Sequence, residues 1–369
     1  MVACGLSLIF GVSRIVNFAH GSFYMVGAYL AYYLIGHLSP GGLSFWASIL
    51  ISGFSVGLIG MLVEVLLLRR LYQSPELFIL MGTFGVILII QDLSRWLFGS
   101  EDLLGPRCPG LDGSIDILGT LLPQYDLALI FIALLVLLMI WWLLNRTRWG
   151  ILVRAATQDR EMLAALGVNQ SLLFTSVFFL GSFLAGLGGA LQLPKGGADL
   201  LMDLNVIASA FVVVVIGGMG SIPGAYLAAL LIGELSAFGI LVLPQSTLVM
   251  MFLIMAVVLI IRPYGLFGRN ESGEQPYDQK TYAPVKPSSG RLKLTGQGLL
   301  LFVLLMPLLV GDFQLVLSIE IAILALASMS LYFMMGPGGM ISFGHAVFFG
   351  GGAYAAALLV HHLNAPMEL

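Results

Sequence analysis

The chain has 369 residues, 59% of them hydrophobic and 9% charged, with a mean hydropathy of +1.01. Soluble domains carry roughly 25% charged residues, so this chain cannot cover itself with a water-facing surface, and a lipid bilayer must cover much of it. A net charge of −3 with no basic stripe argues against nucleic acid as a partner, and Cys4 and Cys108 supply neither a disulfide framework nor a metal-ligand spacing.

A spanning helix needs about 20 mostly apolar residues. In chain order the expected spans are 21–38, 44–68, 77–98, 126–145, 171–193, 205–219, 223–241 and 245–262, then 298–311, 314–335 and 346–362. Met1 leads straight into apolar sequence with no signal-peptide pattern. The run Met1 to Phe10 would rise only about 15 Å as a helix and reads as the tail of a helix whose start is missing. The spans 205–219 and 298–311 are short and read as tilted or re-entrant.

Charge places the loops. Arg69, Arg70, Arg146, Arg148, Arg154, Arg160, Arg262 and Arg269 follow spans that alternate threading brings to one side. Lys and Arg mark the cytoplasmic side, so the stretch around His20, 146–168 and 263–297 are expected inside. Loops 99–126, with five acidic residues against Arg107, and 194–204 are expected outside. Residues 263–297 are rich in Pro, Gly, Ser and mixed charge and read as a cytoplasmic linker. It divides a first unit, 1–262, from a second, 298–369, which reads as truncated.

The two units are related. With a constant offset of 325, Gly11, Phe18, His20, Phe23, Gly27, Ala28, Tyr29 and Ala31 match Gly336, Phe343, His345, Phe348, Gly352, Ala353, Tyr354 and Ala356. Both copies thread in the same direction, so the repeat is parallel, and repeats meeting at a central pathway are a transporter trait. His20 and His345, flanked by Asn17 and Ser342, form a repeated motif expected at the inner mouth.

Between two spans lies RTRWGILVRAATQDREMLAALGV, 146–168. One helix is expected from Ile151 to Leu166, with Ile151, Ala155, Met162 and Leu166 on one face, Arg154, Gln158, Asp159 and Glu161 in water, and Gly167 as the stop. Such a helix lies on the membrane or docks into a partner. On these residues the chain resembles a known family. The run Arg154-Ala155-x-x-x-Asp159-x-x-x-x-Ala164-x-x-Gly167-Val168 and GGMGSIPGA at 217–225 resemble the permease subunits of ABC importers for branched-chain amino acids. RIVNFAHGSFYMVGAY at 14–29 and RPYGLFG at 262–268 resemble the same subunit, and MISFGHAVFFGGGAY at 340–354 resembles the start of its companion permease. The resemblance implies an all-α polytopic bundle made as a fusion of the two permeases. It also implies a bacterial inner-membrane location, separate ABC ATPase subunits that dock on 151–167, and a periplasmic or lipid-anchored solute-binding protein. Arg154, Asp159, Ala164 and Gly167 would then serve ATPase docking. Urea and short-amide permeases share this architecture and remain an alternative.

The glycines of 217–224 approximate a phosphate loop, but no lysine of the chain follows a glycine as G-x-x-x-x-G-K-[ST] demands. They are read as a tight turn or a helix break, and the chain itself is not expected to be an enzyme or to hold a cofactor or metal. Gly181, Ala185 and Gly189, and Gly53 and Gly57, recur every four residues and read as close helix contacts. Among ionisable groups in the spans, Glu64 and Glu320 read as hydrogen-bonded structural groups, and Glu234 as either pathway-lining or structural. An ion-coupled carrier would need such carboxylates for coupling. A membrane-embedded enzyme would need clustered His, Asp or Glu, and no H-E-x-x-H or G-x-S-x-G run is present.

Overall fold

A computed structural model describes residues 1–38, 41–72, 74–117, 119–242, 247–268, 294–298, 301, 303, 305, 311–336, 342 and 344–363. Most of the expected linker (269–293), most of the expected span 298–311, and Phe343 of the repeated motif lie outside the described residues. The chain divides into two units, Met1–Gly273 and Glu274–Leu369.

Apolar runs become helices because a backbone in lipid must satisfy its hydrogen bonds internally. The first unit holds α1 (Val2–Ser13), α2 (His20–His37), α3 (Gly42–Val63) and α4 (Glu76–Phe98). A two-stranded antiparallel hairpin follows, β1 (Ser114–Ile117) with β2 (Thr120–Pro123). Then come α5 (Gln124–Arg146), α6 (Arg148–Gln158), α7 (Arg160–Ala165), α8 (Gln170–Gly196), α9 (Met202–Gly217), α10 (Ile222–Val242) and α11 (Thr247–Ile261). The second unit holds α12 (Asp312–Met335) and α13 (His345–Leu363). Among the described residues, six helices are long and apolar enough to cross a membrane: Gly42–Leu71, Leu77–Phe98, Gln124–Arg146, Gln170–Gly196, Ile222–Leu241 and Phe313–Met335.

The core of the first unit is α8, packed against α1, α2 and α3. Its small residues permit backbone contact. A Cβ on Gly189 would lie 1.9 Å from the Tyr24 carbonyl oxygen, one on Gly27 would lie 2.2 Å from that of Gly186, and one on Gly5 would lie 2.6 Å from that of Gly181. Without a hydrophobic drive between helices in lipid, such approach is what association rests on. Ser52 Oγ adds a hydrogen bond to the Gly27 carbonyl at 2.6 Å.

Three features depart from the expected elements. The end of α3 widens into a π turn, Glu64–Leu68, before closing at Arg69–Leu71. The expected loop 99–126 contains the β hairpin, whose turn is fixed by Asp116 Oδ1 accepting from Gly119 N at 2.9 Å. The helix expected from Ile151 to Leu166 is broken at Asp159, whose φ of −148° and ψ of 106° are extended. Its carboxylate accepts from Met162 N at 2.9 Å and so caps a second helix, a use of Asp that competes with continuing the first.

Candidate functional site

Four of the sequence motifs meet at one end of the first unit. The last turn of α1 packs by Gly11 on Gly220, where a Cβ would lie 3.1 Å from the Gly220 Cα. Residues 217–225 hold the end of α9, the turn 218–221 and the start of α10. The tail after α11 closes that turn: Leu266 N donates to the Ile216 carbonyl at 2.8 Å and Phe267 N to that of Gly217 at 3.1 Å, satisfying carbonyls that a helix end leaves open. Arg14, held left-handed at φ 55°, donates from Nη2 to the Thr157 carbonyl at 3.2 Å and joins this end to α6.

The α6–α7 segment is fixed from both sides. Thr147 Oγ1 caps α6 by accepting from Gly150 N at 3.1 Å. Arg154 is exposed, as expected, and is also anchored: its Nη1 donates to the Leu144 carbonyl and, at 3.2 Å, to Asn145 Oδ1, fastening α6 to the end of α5. Ala164 is exposed, and its carbonyl accepts from Gly167 N at 2.9 Å while Val168 N donates to Leu163 at 3.3 Å. Gly167, at φ +79°, thus ends α7 in a left-handed cap that an L side chain resists. The expected apolar face is not the buried one, and of its four residues only Ala155 is half-buried. Gly150, Val153, Ala156 and Leu163 are buried, whereas Ile151, Met162 and Leu166 are 56%, 59% and 72% exposed.

The repeated motif opens a helix in each copy: His20 begins α2 and His345 begins α13. His20 is fully buried. Residues 14–19 fold back beside α1, so its ring lies against the first turn of that helix, with Nε2 3.1 Å from the Val2 carbonyl. Asn17 is buried, and its Oδ1 accepts from Ala19 N at 3.1 Å to shape this return. His345 Nε2 and Ser330 Oγ share a hydrogen bond of 2.5 Å, and Ser342 is half-buried.

Of the carboxylates in the spans, Glu64 is buried and fully engaged. Arg69 approaches it at 3.3 and 3.1 Å, Thr175 Oγ1 donates at 2.7 Å and Tyr72 OH at 3.3 Å. Glu234 and Glu320 are exposed on α10 and α12. The sequence reading missed Asp203. Expected in an outer loop, it is 1% exposed in the first turn of α9. It accepts from Ser22 Oγ at 3.0 Å, from Gln91 Nε2 at 3.1 and 3.0 Å, and from its neighbour Leu204 N at 2.7 Å. The available signal was Gln91 in mid-span together with an acid opening an apolar helix.

Residues 1–261 match the family described as branched-chain amino acid transport system / permease component. The chain belongs to that family. Among the permease's relatives is the high-affinity branched-chain amino acid transport system permease protein BraD of Pseudomonas aeruginosa, 29% identical over 73% of this chain and 92% of the relative. LivH of Salmonella typhimurium is 26% identical over 73% and 91%. LivM of Escherichia coli is 27% identical over 72% of this permease and 67% of its own length. No solved structure matches the permease. The family match spans α1 to α11 and so includes the whole α6–α7 segment.

Proposed function

We propose that this permease carries branched-chain or related amino acids across a bacterial inner membrane, and that separate ATPase subunits drive it by docking on α6–α7. A solute-binding protein delivers the substrate on the opposite side. Within the membrane family shown above, the observation that supports this reading is the α6–α7 surface. Ile151, Met162 and Leu166 present apolar side chains outward from a segment held rigidly by Arg154, the Asp159 cap and the Gly167 cap. A rigid segment passes movement on; a loose one absorbs it. Asp159 and Gly167 preserve the shape, Arg154 ties it to α5, and Ala164 lies on the exposed side.

The α10 face bearing Glu234 is read as lining the pathway, since an ionised carboxylate in lipid costs roughly 2.5–3.5 kcal/mol on insertion scales. Asn17 and His20, with Ser342 and His345 in the second copy, are read as structural groups that set the entry to each repeat's helix. The second copy is read as the start of a companion permease fused to the first.

Asp159→Arg and Gly167→Trp test the docking role. Each is expected to abolish leucine-stimulated uptake in reconstituted vesicles while insertion stays normal and ATP hydrolysis by the partner subunits loses its dependence on transport. Normal uptake at normal expression refutes it.

A further inference from the structure

A groove of about 520 Å³ runs along the seam between the end of α3 and the start of α8. Its lining is graded. Met61, Val65 and Phe179 form an apolar floor, and Arg69, Asn169 and Ser171 form a polar end, with Thr175 between them. Along α3 the lining passes from Met61 and Val65 to Arg69, and along α8 from Phe179 through Ser176, Thr175 and the exposed Leu172 to Ser171 and Asn169. The floor lies within the apolar spans, and the polar end is where Arg70 and the α8 N-terminus stand exposed. We propose that this groove binds one membrane phospholipid, its phosphodiester on Arg69 and the first part of an acyl chain on the floor.

The π turn builds the site. It lets Glu64 turn inward, fully buried, while Arg69 stays 37% exposed in its side chain. Glu64 takes one edge of the guanidinium through Nε and Nη2 and fixes its plane. Nη2 also donates to Thr175 Oγ1 at 2.5 Å and lies 3.5 Å from the Ser171 carbonyl; among the described residues no acceptor takes the Nη1 donors, which are left for an oxyanion. A fixed guanidinium suits a phosphodiester because its remaining Nη1 donors are charged and already held in place, at no further ordering cost. Asn169 commits Oδ1 to capping Leu172 N at 3.1 Å, which leaves its NH₂ as a second donor. The apolar floor selects a lipid over a soluble phosphate, and basic grooves between helices at the cytoplasmic end are where anionic headgroups bind. The α6 end borders the site, with Trp149 Nε1 donating to Ser176 Oγ at 2.7 Å.

The test is native mass spectrometry of the full chain released from detergent micelles, titrated with dioleoylphosphatidylglycerol. One tightly retained lipid is expected. Glu64→Gln/Arg69→Gln removes both charges together, leaving no orphaned buried carboxylate, and is expected to reduce occupancy at least tenfold. Val65→Trp fills the floor while leaving the ion pair intact and is expected to do the same. sn-Glycerol 3-phosphate at millimolar concentration is expected not to displace the lipid. No retained lipid, unchanged occupancy in both variants, or displacement by glycerol phosphate as effective as by lipid overturns the proposal.

Discussion

Asp203 shows what a buried carboxylate demands of its neighbours. Among the described residues no cation pairs with it; its partners are a hydroxyl, a side-chain amide and a backbone N–H, drawn from α2, α4 and its own helix. Asp203→Ala would leave the buried Ser22 hydroxyl and two partly buried donors, Gln91 Nε2 and Leu204 N, without this acceptor, and an unsatisfied buried group costs about 1–3 kcal/mol. The thermal midpoint of the permease in detergent is expected to fall for Asp203→Ala and to hold for Asp102→Ala, whose side chain is exposed. Equal midpoints would show that the cluster contributes nothing. The residue was illegible in sequence because hydropathy measures side chains along one helix, whereas Asp203 is satisfied by two other helices. Glu64 was easier to place, since its cation follows five residues later in the chain.

At the scale of elements, glycine spacing carried real information. Gly181, Ala185 and Gly189 fall on the face of α8 that meets α1 and α2, and Gly53 and Gly57 of α3 face Phe183 and Phe179 of α8. A leucine at Gly189 would drive its Cβ into the Tyr24 carbonyl, a backbone atom that cannot swing away. Gly189→Leu is therefore expected to prevent a monodisperse peak on size-exclusion chromatography. Gly85→Ala, with nothing within 4 Å of its Cβ, is expected to elute as the parent does. Matching elution of Gly189→Leu would mean that α2 and α8 do not approach as described. The π turn and the break at Asp159 were not legible. An inserted residue has no compositional mark, and an Asp in a polar amphipathic run serves equally as a wet helix residue or as a cap. The exposure of Ile151, Met162 and Leu166 was likewise hidden, because 3.6-residue periodicity finds an apolar face without telling which neighbour covers it.

At the scale of the whole first unit, α8 acts as a ruler. It is 27 residues long, about 40 Å at 1.5 Å per residue. At its start lie Arg69, bonded to Thr175, and Trp149 of the basic α5–α7 region. At its other end Ala198 pairs with Leu103, and Lys195 reaches Asp126 at 3.1 Å, beside the acidic loop that carries Glu101, Asp102, Asp112 and Asp116. The packing thus separates the charges that the positive-inside rule separates by count, and the basic end is expected in the cytoplasm. Cysteine labelling can test this without removing the native thiols. Cys4 and Cys108 are both buried. Burial, with Asp112 adding to it, pushes the Cys108 thiol up to about 11. It is therefore protonated at pH 7, and the thiolate is the form that reacts. In intact cells at pH 7 an impermeant maleimide is expected to leave the native chain unlabelled and to label Asp102→Cys. Gln158→Cys, exposed at the end of α6, is expected to react only after the membrane is opened. Labelling of Gln158→Cys from outside, with Asp102→Cys silent, would invert the permease in the bilayer and place α6–α7 beyond the reach of any cytoplasmic ATPase.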